Sequence, residues 1–214
     1  MKLIMLHGLG QTSSSWDETK KVLNTSDEIL CPNLSEWIYD KPVGYNTLYL
    51  ELEKYCDKFN EPLNLCGLSL GGILAMQYSI NHPDKINSLI LIGTQYIMPK
   101  NLLKMQNLVF RIMPRSTFEK IGFKKSEFID LCNSKVDLNF ECDLNKIKCP
   151  TLVVCGDKDK ANKKVAIGLR ELIKNAELVI IEKSGHEINI DNPTQLGNLL
   201  NGFMINQLVT IHYI

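Results

Sequence analysis

The sequence predicts an α/β protein whose central sheet is mostly parallel, has about six strands and carries helices on both faces. Two observations lead to this prediction: short apolar runs lack the polar alternation of half-buried strands, and helical patterns separate these runs along the chain. A third observation is that residues 96–148 interrupt the alternation with helical patterns alone. We therefore expect a core from residues 1–95 and 149–207, a small helical lid from 96–148, and a tail at 208–214.

The elements of the core follow in order along the chain. The predicted strands cover residues 2–6, 28–31, 63–66, 86–92, 151–155 and 177–181. The predicted helices cover residues 45–59, 70–80, 164–174 and 193–206, the last with Asn192 as cap and Pro193 in its first turn. A further helix is predicted to start in a capping box formed by Ser15 and Glu18. Since parallel sheets of this kind bind ligands beyond the carboxyl ends of their strands, functional side chains are expected on the loops after the strands.

Composition and charge narrow the class of protein. The chain has 214 residues, 44% of them hydrophobic and 22% charged, and its 24 basic residues balance 24 acidic ones, so we expect no nucleic-acid partner. No stretch approaches the roughly 18 apolar residues of a membrane span, and the short apolar N-terminal run lacks signal-peptide features. We therefore expect a cytoplasmic protein with no membrane partner. The seven cysteines are scattered and never spaced C-x-x-C, so no disulfide framework, zinc site or other metal or organic cofactor is predicted.

The strongest local signal is the pentapeptide 67–71, Gly-Leu-Ser-Leu-Gly, which fits the pattern G-x-S-x-G. It lies between a predicted strand and a predicted helix, which is where that pattern places a nucleophile. A sharp strand-to-helix turn projects the serine hydroxyl clear of the backbone, and a Cβ two residues before or after it would clash with neighbouring chain. Ser69 is therefore predicted to be a catalytic nucleophile.

A serine nucleophile needs a general base, and the imidazole pKa of roughly 6.5 suits that role near neutral pH. His186 is the histidine on a loop after a late strand. His82 stands in an Asn-His-Pro helix end, His212 lies in the tail, and His7 is expected to tie its loop to neighbouring backbone. We predict that His186 is the base.

The third catalytic group is a carboxylate that fixes the histidine tautomer and stabilises the imidazolium. Asp157 and Asp159 both qualify by position, because both follow the strand at 151–155. Asp159 lies further out on the loop and has a Gly-x-x-Asp spacing from Gly156, so it is predicted to orient His186. Asp157 is expected to stabilise the turn through nearby backbone amides.

An acyl-transfer enzyme also needs two amide donors aimed at the tetrahedral oxyanion. The loop at 7–10, His-Gly-Leu-Gly, follows the first strand and can present the amide of Leu9. The second predicted donor is the amide of Leu70, directly after the nucleophile, at the start of a helix whose free amides favour negative charge.

The segment 96–148 admits two interpretations: extra helices packed on the core, or a lid whose apolar face lines a substrate pocket. Because it leaves from a carboxyl end of the sheet, we favour the lid, with Met105, Val109 and Ile112 as pocket residues. Its first helix carries apolar side chains that are predicted to share one face, namely Leu102, Met105, Leu108, Val109, Ile112 and Met113. This apolar character favours an acyl chain over a sugar or nucleotide as ligand.

Together these motifs resemble the α/β-hydrolase superfamily over nearly the whole chain, and most of all its bacterial carboxylesterase and lactonase-like branch. Members of the family usually carry an extra pair of strands before the His-Gly loop, so the resemblance implies an α/β-hydrolase fold that lacks the first two strands. The segments that carry the resemblance are 7–10, 67–72, 81–83, 151–159, 185–186 and 191–193.

The resemblance and the residues imply a serine hydrolase that cleaves a small carboxylic ester or related apolar acyl substrate through an acyl-serine intermediate. Because the superfamily hosts many chemistries, two alternatives stay open. One is hydrolysis of a lactone or of a carbon–carbon bond. The other is a ligand-binding or regulatory protein on the same fold. The sequence predicts no particular oligomeric state.

Overall fold

Six parallel strands form one sheet in the computed structural model, which describes residues 1–211, including the side chains of 1–100 and 103–205. The strand order is β2-β1-β3-β4-β5-β6, and each neighbouring pair is parallel. This confirms the predicted fold class and strand number. The strands are β1 Lys2–Leu6, β2 Glu28–Leu30, β3 Leu63–Leu68, β4 Ile86–Ile92, β5 Thr151–Gly156 and β6 Ala176–Ile181.

Helices cover both faces of the sheet, as the lack of polar alternation predicted. The α-helices are α1 Asp17–Val22, α2 Leu34–Trp37, α3 Tyr45–Cys56, α4 Leu70–Asn81, α5 Lys100–Ile112, α6 Arg115–Glu119, α7 Lys125–Ser134, α8 Lys160–Leu172, α9 Ile188–Asp191 and α10 Pro193–Ile211. Short 3₁₀ helices span Ser13–Trp16, Pro83–Lys85 and Glu141–Lys146.

Strand β1 shows how the two faces are divided. Leu3 and Met5 are fully buried in a cluster with Trp16 and with side chains of α10. Ile4 and Leu6 point the other way and are fully buried in a second cluster, which includes side chains of α3, α4 and α8. Because alternate residues of a strand face opposite sides, an unbroken apolar run is the pattern that a sheet covered twice requires.

Several helix boundaries differ from the prediction, and α3, predicted to reach residue 59, ends at Cys56. Ser15 and Glu18 form no capping box, because the chain first makes a 3₁₀ turn over Ser13–Trp16, and the Ser15 hydroxyl instead donates to the carbonyl of Thr12. Helix α8 begins four residues earlier than predicted, because the Asp159 carboxylate caps it by accepting from the amide of Asn162.

Helix α10 begins with Asn192 as its cap, as predicted, but it continues to Ile211. No glycine or proline follows Gly202 to end it. The first four residues of the predicted tail are therefore helical, and residues 212–214, including His212, lie outside the described residues.

Between β4 and β5, the segment 96–148 forms α5, α6 and α7. The predicted apolar face of α5 is not its buried face: Met105, Leu108, Val109 and Ile112 are 61%, 64%, 47% and 79% exposed. The helix packs on the rest of the protein through its other face, whose side chains follow a helical spacing. Leu103 and Asn107 are buried there, and Phe110 packs edge-on against aromatic rings of α6 and α7. The side chain of Leu102 lies outside the described residues.

Within residues 1–211, none of the helices combines the length and apolar character that crossing a bilayer requires.

Candidate active site

Ser69 occupies the turn between β3 and α4 in a strained backbone conformation, with φ 52° and ψ −110°. A non-glycine residue at such a positive φ costs of order 1–3 kcal/mol and persists only where the surroundings impose it. Here the Ser69 amide donates to the carbonyl of Ile92 at 2.9 Å, and its carbonyl accepts from the amide of Ile73 at 2.9 Å. The elbow is thus fixed to β4 on one side and to α4 on the other.

The glycines at positions 67 and 71 allow this turn to be so tight. A Cβ on Gly67 would lie 2.3 Å from the carbonyl oxygen of Gly71, and a Cβ on Gly71 would lie 2.2 Å from that of Leu6. Both distances are far inside van der Waals contact with backbone atoms that have no freedom to move. The local sequence therefore fits the close approach of β1, β3 and α4 behind Ser69.

The structure brings Asp159 and His186 together, although they come from loops after different strands. His186 Nδ1 lies 2.8 Å from Asp159 Oδ2, with the carboxylate 6% exposed and the imidazole 41% exposed. Burial works to raise the pKa of the Asp159 carboxyl, but hydrogen bonds from His186 and Asn162 outweigh burial and leave the pKa below its ordinary value. An ionised carboxylate at Nδ1 keeps the proton on that nitrogen and leaves Nε2 unprotonated as a base.

Two polar residues that the sequence did not single out support this pair. The side-chain amide of Asn162, buried on the first turn of α8, donates to Asp159 Oδ2 at 2.7 Å and lies 3.1 Å from His186 Nδ1. Gln95 donates in turn to Asn162 Oδ1 at 2.5 Å. The position of Asn162 three residues after a capping aspartate was the available signal, whereas Gln95 comes from a different loop and had none.

Asp157 is two residues from Asp159 but has a different role from the Asp159–His186 pair. Its Oδ1 accepts from the amide of Ser184 at 3.0 Å, which ties the loop after β5 to the loop after β6. Hydrogen bonds from the backbone at Lys183 and Ser184 hold the pKa of the Asp157 carboxyl below its ordinary value. The carboxylate that contacts His186 is that of Asp159.

The amides of Leu9 and Leu70 are both available as donors. Among the residues that the structure describes, neither amide donates to a protein acceptor. Leu70 is the first residue of α4, where the helix dipole places partial positive charge. Leu9 lies within a turn in which the Gly8 carbonyl accepts from the amide of Gln11 at 3.2 Å, and the Gln11 side chain accepts in return from the Gly8 amide at 3.3 Å.

His7 holds the start of this loop, as its position in the sequence suggested. Its Nε2 accepts from the amide of Leu34 at 3.0 Å, so Nδ1 carries the proton and donates to the carbonyl of Gly8 at 2.9 Å. The ring is buried, and burial lowers the pKa of His7. His7 is therefore neutral, and its two hydrogen bonds hold the backbone at Gly8 and Leu34 in place.

A cavity of about 650 Å³ joins these groups. Ser69, Asp159, His186 and Leu9 all line it, and Met105 and Val109 line it from α5. The cavity does not reach Ile112, the last residue of α5, whose side chain points to solvent. The other lining residues include Ile73, Met98, Pro99, Leu103, Gln106 and Lys135.

Within the part of the chain that the structure describes, the Ser69 hydroxyl makes no hydrogen bond to His186, although both line the cavity. Catalytic hydrogen bonds often tighten only when substrate is bound. The same part of the chain holds no group of three or more histidine, cysteine or acidic side chains placed to bind a metal ion.

Comparison with known proteins shows which family this fold belongs to. A sequence model of the alpha/beta hydrolase fold matches residues 2–121, more than half of the chain. The chain belongs to the α/β-hydrolase family. It is 23% identical to the monoacylglycerol lipase ABHD6 of Bos taurus, in an alignment that covers 94% of this chain and 74% of that protein.

Solved structures share the fold of this α/β hydrolase at low sequence identity. A thermophilic esterase from Thermogutta terrifontis is 17% identical with a TM-score of 0.78, covering 97% of this chain and 90% of the esterase. The enol-lactonase from Burkholderia xenovorans LB400 is 18% identical with a TM-score of 0.77, covering 95% of this chain and 91% of the lactonase. Family membership supports a hydrolase, and at these identities the solved structures show the shared fold.

Proposed function

We propose that this chain is a serine hydrolase that cleaves a small carboxylic ester or related acyl substrate through an acyl-serine intermediate. One observation carries the proposal: the strained Ser69 elbow opens into the same cavity as His186, whose Nδ1 is bonded to the buried Asp159. A nucleophile, a base with its tautomer fixed and an acyl-sized space thus meet at one edge of the sheet.

The reaction divides into two steps. Ser69 Oγ attacks the ester carbonyl while His186 Nε2 takes its proton, and the amides of Leu9 and Leu70 donate to the oxyanion. The intermediate collapses, the carbon–oxygen bond to the alcohol breaks, and His186 returns the proton to the departing alkoxide. A water molecule, deprotonated by His186, then attacks the acyl-serine, and Ser69 leaves with the proton as the acid product forms.

The walls of the cavity support an acyl chain as the bound group. Ile73, Met98 and Leu103 contribute apolar side chains to its lining. A lactone presents the same acyl–oxygen bond as an ester, so the same residues would open it, with the alcohol remaining on the acyl chain.

A panel of p-nitrophenyl esters, thioesters, lactones and β-diketones tests the proposal, with Ser69→Ala as the control enzyme. We expect turnover of esters, dependent on Ser69. Turnover of β-diketones alone would indicate a carbon–carbon hydrolase. Binding of these compounds without turnover of any would indicate a ligand-binding protein instead.

We further propose that α5 acts as part of a lid that selects acyl chains. Because Met105 and Val109 line the cavity, Val109→Asp is expected to raise KM for p-nitrophenyl octanoate more than for the acetate. Each methylene removed from contact with an apolar wall loses about 0.8 kcal/mol. Steady-state kinetics on both esters measures this difference.

Leu108→Asp is the matched control, because Leu108 is on the same helix and 64% exposed but does not line the cavity. It should leave both KM values unchanged. If the two variants affect both esters alike and merely lower the melting temperature, then α5 is an ordinary packed helix and the lid proposal is wrong.

A further inference from the structure

Lys135 is a lysine buried in the wall of the catalytic cavity. It follows the last residue of α7, is 6% exposed, and lines the same space as Ser69 and His186. Across the described side chains, no hydrogen bond or ion pair engages its amino group. Burial lowers the pKa of that group, and the neighbour that acts in the opposite direction is the thiol of Cys132 and not a carboxylate.

Such a lysine is unfavourable without a partner. A buried charge without hydrogen bonds is destabilising, so buried charges in proteins are normally paired. The position of Lys135 at the end of α7 offers a small compensation, because the carboxyl end of a helix favours a cation. That effect is small, and within the described part of the chain no carbonyl at this helix end accepts a hydrogen bond from the amino group.

The carboxylates around the cavity are engaged elsewhere. Asp159 is bonded to His186 and Asn162, and Asp191 Oδ2 accepts from the amide of Gly185 at 2.6 Å. Glu187, the third acidic residue of the lining, accepts from Gln11 at 3.2 Å. All three lie in the parts of the chain that follow β5 and β6, whereas Lys135 belongs to the segment 96–148. Among the described residues, none of these carboxylates forms an ion pair with Lys135, so the cavity has a cation in its lining without a direct counter-ion.

We propose that Lys135 binds a carboxylate of the substrate, so that the preferred substrate is an ester or lactone with an anionic group in addition to the scissile bond. This inference rests on the proposed function. A carboxylate supplies both an opposite charge and the acceptors for the ammonium, and such charge-assisted hydrogen bonds are roughly twice as strong as neutral ones. The apolar wall of Ile73, Met98 and Leu103 would then contact the carbon chain that joins the two ends.

The test compares esters that differ only in the anionic group. On the acyl side, mono-p-nitrophenyl esters of the C4 to C8 dicarboxylic acids are compared with p-nitrophenyl esters of monocarboxylic acids of equal length. On the alcohol side, 4-acetoxybenzoate is compared with 4-methylphenyl acetate. We expect the wild-type enzyme to prefer the anionic member in kcat/KM in at least one series.

Lys135→Met is the informative variant, because it keeps an unbranched stem and removes the charge. We expect it to lower kcat/KM for the preferred anionic ester at least tenfold, a loss of about 1.4 kcal/mol, while the neutral ester is unchanged or faster. Lys104→Met, which removes a charge from the exposed side of α5, should change neither. Should Lys135→Met fold poorly, Lys135→Gln keeps a polar end and should show the same selective loss.

The outcomes separate this inference from the proposed function. If the wild type hydrolyses neutral esters without preferring anionic ones, and Lys135→Met affects both alike, the carboxylate site is wrong and the serine hydrolase stands. If no ester is hydrolysed, the proposed function fails. Calorimetric titration with adipate then decides the inference: binding that Lys135→Met abolishes supports the site, and absent or equal binding overturns it.

Discussion

Replacing Ser69 by alanine is expected to reduce ester turnover on the order of 10⁴-fold or more while the fold is retained. The variant lacks the oxygen that forms the acyl intermediate, whereas the amides of Leu9 and Leu70 still contribute the residual catalysis of an oxyanion site. The backbone should not change, because alanine at φ 52° has the same Cβ as serine and the same bonds to Ile92 and Ile73. Initial rates measure the loss of turnover, and a melting curve shows whether the fold is retained.

A fluorophosphonate probe gives a second readout, since it labels an activated serine covalently. The wild type should be labelled and Ser69→Ala should not. Ser116→Ala, on the exposed surface of α6, is the matched control and should keep both labelling and turnover. Near-normal turnover by a well-folded Ser69→Ala protein would remove Ser69 from the mechanism.

The second large effect is expected at the carboxylate. Asp159→Asn should lower kcat by roughly 10³–10⁴-fold, because the amide can donate to His186 Nδ1 and thereby moves the imidazole proton to Nε2. The histidine would then hold a proton on the nitrogen that must accept one from Ser69. The 2.8 Å contact between Nδ1 and Oδ2 makes this swap of donor and acceptor direct.

Asp157→Asn is the matched control, with the same chemical change two residues away. It weakens the contact with the Ser184 amide, so we expect a small loss of stability and little change in kcat. Urea denaturation and steady-state kinetics of both variants distinguish the roles. If Asp157→Asn proves to be the inactive variant, then Asp157 and not Asp159 is the catalytic carboxylate.

The sheet and the candidate catalytic residues could be predicted from the sequence because both depend on local patterns. Apolar runs such as Leu63–Leu68 and Ile86–Ile92 are buried on both faces of the sheet. The sequence pattern is therefore enough to predict that these strands are covered on both sides. Ser69, Asp159 and His186 each follow a strand, and parallel strands bring such loops to one edge. The distances between these three side chains, however, could be learned only from the structure.

Packing in the segment 96–148 could not be predicted in the same way. Helix α5 carries apolar residues on more than one side, and the face that it buries depends on the aromatic rings of α6 and α7 around Phe110. The burial of Lys135 has the same origin, since lysines are almost always exposed and only tertiary contacts place this one in a cavity wall. Gln95, which donates to Asn162, likewise becomes visible only when two distant loops meet.

The conformation of Ser69 has a consequence for how this protein would respond to selection in the laboratory. Glycine adopts φ 52° with little penalty, so Ser69→Gly should relieve part of the 1–3 kcal/mol held in the elbow. For a chain of this size, each 1 kcal/mol gained raises the melting temperature by about 2–4 °C. A library screened for heat tolerance alone would therefore enrich variants that have lost their nucleophile, and any programme to stabilise this protein has to screen for turnover in the same round.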